Sequence, residues 1–258
     1  KLVEMSNGCI CCTLREDLIE EVTRLSKEGR FDHLLIESTG IGEPMPVAAT
    51  FSFRDETGFS LSDVAEIDTM VTVVDAFNFM RELGSEDDLR DRSLALGDED
   101  ERTIADLLTD QIEFANVIVI NKCDLVDEAT SAKLEALLRS LNPEAELVRV
   151  SHGALPIDRM VGRGLFDEEK ASQMAGWAKE LAGEHVPETE EYGIGSFVYH
   201  ARRPFHPKRL LDSIQHNGLM AGIVRSKGYA WMATRPQFCA MWNSAGKSLM
   251  IERAGLWF

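Results

Sequence analysis

The sequence predicts an α/β protein, with a mostly parallel sheet carrying helices on both faces, followed by a smaller α+β domain. Three observations lead there. Short apolar runs at Leu34-Leu35-Ile36, Met70 to Val74, Val117 to Ile120 and Leu147 to Val150 each end in polar residues. Between them lie stretches with apolar residues at helical spacing, and strands alternating with helices make a parallel sheet. From Gly193 onward the style changes to short aromatic runs separated by glycine and proline. The expected division is 1–183 for the first domain, a polar linker over 184–192 that carries Pro187, and 193–258 for the second.

Near its start the chain carries Gly8-Cys9-Ile10-Cys11-Cys12, three thiols in four positions, followed by Thr13 and Glu16 at the spacing of a capping box. A helix therefore starts directly after the cysteines. Its N-terminal partial charge favours thiolates, which bind soft or borderline metals. Cys9, Cys11 and Cys12 are thus read as metal ligands rather than small buried apolar residues. Five cysteines, an odd number, without a visible export signal argue against a disulfide framework. Zinc usually takes four ligands, so the fourth is left to water, another side chain or a partner. An incomplete protein shell suits transfer better than permanent structure.

Leu14, Leu18, Val22 and Leu25 continue the helix, and Gly29 stops it. Phe31 to Ile36 then reads as a buried strand delivering Glu37-Ser38-Thr39-Gly40 to the carboxyl end of the sheet, where ligands bind in such folds. His33 reads as a strand or surface histidine. Met70 to Val74 ends at Asp75, read as a cap for a helix over Phe77 to Leu83. Between Glu82 and Glu113 there are 12 acidic and 3 basic residues, net −9, read as a solvated, mobile connection. Ile104, Leu107, Leu108 and Ile112 restore a helical face. The strand Val117 to Ile120 follows and delivers Asn121-Lys122-Cys123-Asp124.

Leu134, Leu137, Leu138 and Leu141 mark the next helix, closed by Asn142-Pro143 before a strand near Leu147 to Val150. Ser151-His152-Gly153 comes where a loop cradling a base belongs, and a helix is expected over 167–182. In the second domain Gly195 to Tyr199 reads as a strand and His206 to Gln215 as a helix, with Pro207 in its first turn. His200, His206 and His216 read as structural or solvent-facing, and Phe205, Trp231 and Trp242 as core rather than a docking surface.

At 258 residues and 44% hydrophobic composition the chain can bury a substantial core. No run approaches the length of a membrane helix, and the first residues resemble no signal peptide, so no membrane is expected and the cytoplasm is the default. With 27 basic and 44 acidic residues, net −17, the chain is not expected to bind nucleic acid.

Asn-Lys-x-Asp at a strand end suits a guanine nucleotide. The Asp124 carboxylate accepts paired hydrogen bonds from the ring nitrogen and amino group of guanine, which adenine cannot offer. The Lys122 stem packs along the base and Asn121 ties the loop together. Upstream, Glu37 at a strand end can hold a Mg²⁺ shell through water. Gly40 lets a backbone N–H approach a terminal phosphate.

Gly8 to Thr13, Glu37 to Gly40 and Asn121 to Asp124, in that order, resemble the CobW-like GTP-dependent metallochaperones, which are P-loop GTPases. Asp110 to Ala115, Arg203-Pro204-Phe205 and Arg225 to Trp231 are similar to the family as well, so the resemblance covers nearly the whole chain. It implies a GTPase domain with GTP, Mg²⁺ and Zn²⁺, or Co²⁺ as a second metal. Glu37 would be catalytic; Gly40, Asn121, Lys122, Asp124 and Ser151 would bind the nucleotide; Cys9, Cys11 and Cys12 would bind the metal. A client metalloprotein would receive the metal, with a homo-oligomer left open.

One departure stands out. The family's Gly-x-x-x-x-Gly-Lys-Ser/Thr phosphate loop, with the strand before it, does not precede the cysteines here. Gly246-Lys247-Ser248 is no substitute, because its surroundings read as short strands. The expectation is an N-terminally incomplete sequence, inactive by itself, of a GTP-hydrolysing zinc chaperone. The alternatives are a non-hydrolysing metal-binding or interaction protein, a cobalt-directed chaperone of cobalamin biosynthesis, and a GTPase with a purely structural zinc knuckle.

Overall fold

The computed structural model describes residues 3, 15–38, 40, 42, 44–54, 57–85, 103–173, 197–246 and 248–257. Three parallel strands, β1 (Val71–Asp75), β2 (Val117–Asn121) and β3 (Glu146–Arg149), lie in the order β1-β2-β3. Register pairs Asp75 with Asn121 and Ile118 with Leu147, so the polar ends of β1 and β2 lie side by side. The central strand β2 is buried along Val117 to Ile120, as its unbroken apolar run requires of a strand covered on both faces.

Ile118 and Ile120 face one core with helices α3 (Phe79–Leu83), α4 (Ile104–Glu113) and α5 (Glu128–Leu141). Val117 and Val119 face the other way and pack with Val150, Val71, Val148 and Leu155. Truncating Ile118 to alanine should cost about 2–5 kcal/mol, because nothing nearby can collapse into the space without disturbing both strands.

Local sequence explains the helix bounds. In α4, Thr103 accepts from the Asp106 N–H while Asp106 accepts from the Thr103 N–H, a capping box. Asp127 caps α5 through the Thr130 N–H. At the far end of α5, buried Asn142 donates from Nδ2 to the carbonyls of Ile112, Glu113 and Ala115, tying α5 to the end of α4. Helix α1 (Arg15–Glu28) ends at Gly29, with φ +61°. Leu18 and Val22 of α1 pack on Phe51 of α2 (Pro44–Ser52) and on Leu61. Helix α6 is described over Glu168–Gln173, the remainder of its expected span lying outside the described residues, as does the expected linker.

Two expected strands are not strands. Phe31 to Ile36 forms no ladder, and Leu35 is 68% exposed. Apolar composition asks for burial but supplies no hydrogen-bonding neighbour, and this segment joins neither outer edge of the β1-β2-β3 sheet. Gly195 to Tyr199 fails in the same way over its described part, with Phe197 78% exposed.

The C-terminal part is an antiparallel sheet of β4 (Arg225–Trp231), β5 (Phe238–Ala245) and β6 (Ser248–Leu256). Helix α7 (Pro207–Gln215) precedes it, capped by the His206 ring and carrying proline in its first turn. Trp231, expected in the core, is 37% exposed, while Phe205 and Trp242 are half-buried. A three-stranded sheet has room for few large rings on its covered face.

This sheet meets the parallel one at α4. Ala245 is fully buried in the main core, and Gly246 turns against Leu83. A Cβ on Gly246, at φ +55°, would run into the Leu83 carbonyl oxygen. Gly246 therefore serves a turn between β5 and β6, in agreement with its rejection as part of a phosphate loop. Beside it Arg225 Nε donates to Glu113 at 2.8 Å and Nη2 to Asp110 at 3.2 Å, while Lys227 pairs with Glu113. Among the described residues no helix is long and apolar enough to cross a membrane.

Candidate functional site

The predicted guanine-site residues gather where β2 and β3 end. Asn121 closes β2, Lys122 takes a left-handed conformation at φ +62°, and Asp124 lies in a single 3-10 turn over Cys123–Leu125. Asn121 Oδ1 accepts from the Gly153 N–H at 3.0 Å, which ties this loop to Ser151-His152-Gly153 after β3. The Cys123 N–H donates to the Val150 carbonyl, and its thiol donates to the Ile120 carbonyl, a small side chain folded back on its own strand. The two loops are thereby held as one edge. His152 at φ +54° and Gly153 at φ +68° turn the chain sharply there. The Asp124 carboxylate remains 35% exposed, its neighbour being His152 Nε2 at 3.7 Å.

Asp75 is the residue that sequence reasoning assigned too little. It does not cap α3, whose first turn follows Asn78. Instead its carboxylate accepts from the Phe77 and Asn78 backbone N–H groups and from Asn78 Nδ2. It also accepts from Lys122 Nζ at 2.7 Å. Burial alone would push this carboxyl up, but the bonds from Lys122 and Asn78 outweigh it and hold it below the ordinary carboxylate range. The available signal was its place: an acid ending a strand beside one ending in Asn-Lys.

Glu37 lies at the end of the extended segment after α1, exposed to solvent. Gly40 is exposed too, and a Cβ there would meet nothing within 4 Å. The carbonyls of Gly40 and Gly42 both accept from Gln111 Nε2, at 2.9 and 3.1 Å. Helix α4 therefore touches the loop after Glu37 through Gln111 and the C-terminal sheet through Asp110 and Glu113. Cys9, Cys11 and Cys12 lie outside the described residues, so the expected neighbourhood of the three sulfurs and Glu37 does too. Among the described residues no three His, Cys, Asp or Glu side chains converge closely enough to hold a metal ion, and Cys123 and Cys239 are free thiols.

Residues 1–149 match the family described as CobW/HypB/UreG, nucleotide-binding domain, and residues 194–258 match the Cobalamin synthesis protein cobW C-terminal domain. The chain belongs to the CobW family. A zinc-regulated GTPase metalloprotein activator 1 from Dictyostelium discoideum is 50% identical over 258 residues, which is 99% of this chain and 54% of that protein. A zinc chaperone of Mycobacterium tuberculosis is 29% identical over 265 residues, covering 99% of this chain and 60% of its own length. The zinc chaperone CobW of a Sinorhizobium species is 27% identical over 242 residues, 91% of this chain and 66% of that protein. This CobW-family chain thus spans between about half and two thirds of the length of these relatives. Its two matched regions correspond to the parallel and the antiparallel sheets described above.

Proposed function

We propose that the complete protein is a GTP-hydrolysing metallochaperone that carries zinc on Cys9, Cys11 and Cys12 and hands it to a client metalloprotein, this chain by itself being inactive in hydrolysis. The observation that supports this best is the locked edge at the ends of β2 and β3. Asn121 is held by Gly153, Lys122 is held by Asp75, and the Asp124 carboxylate stays open for a base. Residues 1–183 form the nucleotide domain in this reading, 184–192 the linker and 193–258 the second domain.

Each residue has a role that follows from its chemistry. Asp124 accepts from the guanine edge, the Lys122 stem lies along the base, and the Ser151 loop covers its other side. Gly40 would bring a backbone N–H to the terminal phosphate, and Glu37 would hold the hydrated Mg²⁺, whose charge would ease phosphoryl transfer. The cargo is zinc, bound as thiolates hold it. Metal affinity follows the nucleotide only if zinc contacts differ between the two states, since a ligand that binds both equally shifts nothing. Relatives named for zinc favour that metal over cobalt.

The test has two parts. Competition binding should rank GDP and GTP well above ADP and ATP; equal ranking removes the guanine site. Zinc affinity measured with a non-hydrolysable GTP analogue and with GDP should differ, and Cys9→Ser, Cys11→Ser and Cys12→Ser should each lower it. Equal zinc affinity in the two nucleotide states would remove the switch.

A further inference from the structure

In the C-terminal part a cleft of about 380 Å³ opens on the surface. Tyr199, Phe205, Tyr229, Trp231 and Trp257 line it, and Arg202 and Arg203 stand at its lip. Several of these rings are well exposed, Tyr199 at 67% and Trp257 at 42% among them. One exposed ring needs no explanation, but a contiguous aromatic patch in a cleft does.

The cleft is built rather than accidental. The Phe205 N–H donates to the Trp231 carbonyl at 2.7 Å, and the Ala233 N–H donates back to the Phe205 carbonyl at 2.9 Å. Trp231 Nε1 donates to the Pro236 carbonyl, which fixes the indole while its face stays open, and the Tyr199 and Phe205 rings pack 6.2 Å apart. Such rigid rings lose little side-chain freedom when something lands on them.

Charge says what would land. Residues 194–258 carry 9 basic and 2 acidic side chains, net +7, against 18 basic and 42 acidic, net −24, in residues 1–193. Arg225 and Lys227 spend their charge on Glu113 and Asp110 of α4. Arg202 and Arg203 have no hydrogen-bond or ion-pair partner among the described residues and flank the aromatic floor. Guanidinium forks match carboxylates.

We propose that this cleft docks an extended acidic segment of a partner protein, which sets a proline or leucine on the aromatic floor between carboxylates paired with Arg202 and Arg203. Aromatic grooves take such apolar residues in extended peptides, and the arginines add the sign of charge. Aromatic rings with arginines also suit single-stranded nucleic acid. A long polyanion would have to run beside the strongly acidic remainder of the chain, whereas a short peptide carries its charge only at the cleft.

The probe is a fluorescein-labelled synthetic peptide of glutamate, leucine and proline, titrated by anisotropy and by tryptophan emission against the full chain. Saturable binding is expected in the micromolar range, weakened roughly tenfold or more by the Arg202→Glu/Arg203→Glu pair and by Trp231→Ala. A peptide with lysine for glutamate should not bind, and Lys208→Glu on α7 should change nothing. Trp231→Phe, which keeps a ring, guards against misfolding and should retain most of the affinity. No binding up to about 1 mM overturns the proposal. So does equal weakening by Lys208→Glu, which would mean domain charge alone. Tighter binding of an oligothymidylate overturns it in favour of nucleic acid. A dimer in sedimentation that the arginine pair variant abolishes overturns it in favour of a second copy.

Discussion

Lys122 Nζ reaches across from the tip of β2 to the Asp75 carboxylate at the tip of β1, 2.7 Å away. The bond joins two neighbouring strand ends, so it fixes the lysine that the proposed function sets along the base. Asp75 is held below the ordinary carboxylate range. A depressed folded value means stabilisation that is present above about pH 4 and lost as pH falls below it. Asp75→Asn should therefore cost about 1 kcal/mol at neutral pH and almost nothing near pH 2. Thermal melts of the two proteins across that range check this, and parallel curves would refute it.

Asp124→Asn exchanges two acceptor oxygens for one acceptor and one donor. Guanine affinity should fall about 100-fold, the worth of a paired charge-assisted contact. Xanthine nucleotides, which carry a carbonyl where guanine has its amino group, should bind the variant better than guanine nucleotides do. Isothermal titration with GDP and xanthosine diphosphate decides it.

Gln111 spans from α4 to the carbonyls of Gly40 and Gly42. Gln111→Ala should cost about 1 kcal/mol and raise hydrogen exchange locally around residues 40–42. Gln111→Glu should be worse, since a carboxylate would then face two carbonyl oxygens. Exchange mass spectrometry reads both, and unchanged protection in the two variants would discard the contact.

Arg225 and Glu113 are 10% and 9% exposed. Removing Arg225 leaves the nearly buried Glu113 carboxylate with Lys227 as its remaining cation, so Arg225→Ala should destabilise by about 2 kcal/mol, and the double variant Arg225→Met/Glu113→Leu by less. Denaturant unfolding checks the order. A double variant less stable than the single one would show that the pair itself, rather than the half-compensated Glu113 charge, carries the cost.

Much of the architecture was legible because periodicity is a local property. The run Val117 to Ile120 is the buried central strand, and Leu134 to Leu141 supplies the inner face of α5. Phe31 to Ile36 misled because its composition resembles that of a strand while pairing depends on a neighbour elsewhere. Trp231 misled for a different reason, since an aromatic residue on a strand can face either side. The acidic segment from Glu86 to Arg102 and the three cysteines Cys9, Cys11 and Cys12 lie outside the described residues.

By itself the sequence determined the three parallel strands β1 to β3, the helices α4 and α5 between them and the polar residues that end β1 and β2, because hydrophobic spacing and short motifs act within a few residues. The tertiary structure alone decided that Lys122 belongs to Asp75, that Gln111 holds the loop after Glu37, and that Arg225 anchors the second sheet to α4. Those pairs are separated by 47, 71 and 112 positions, and only packing in three dimensions chooses among the many carboxylates and carbonyls that the chain offers.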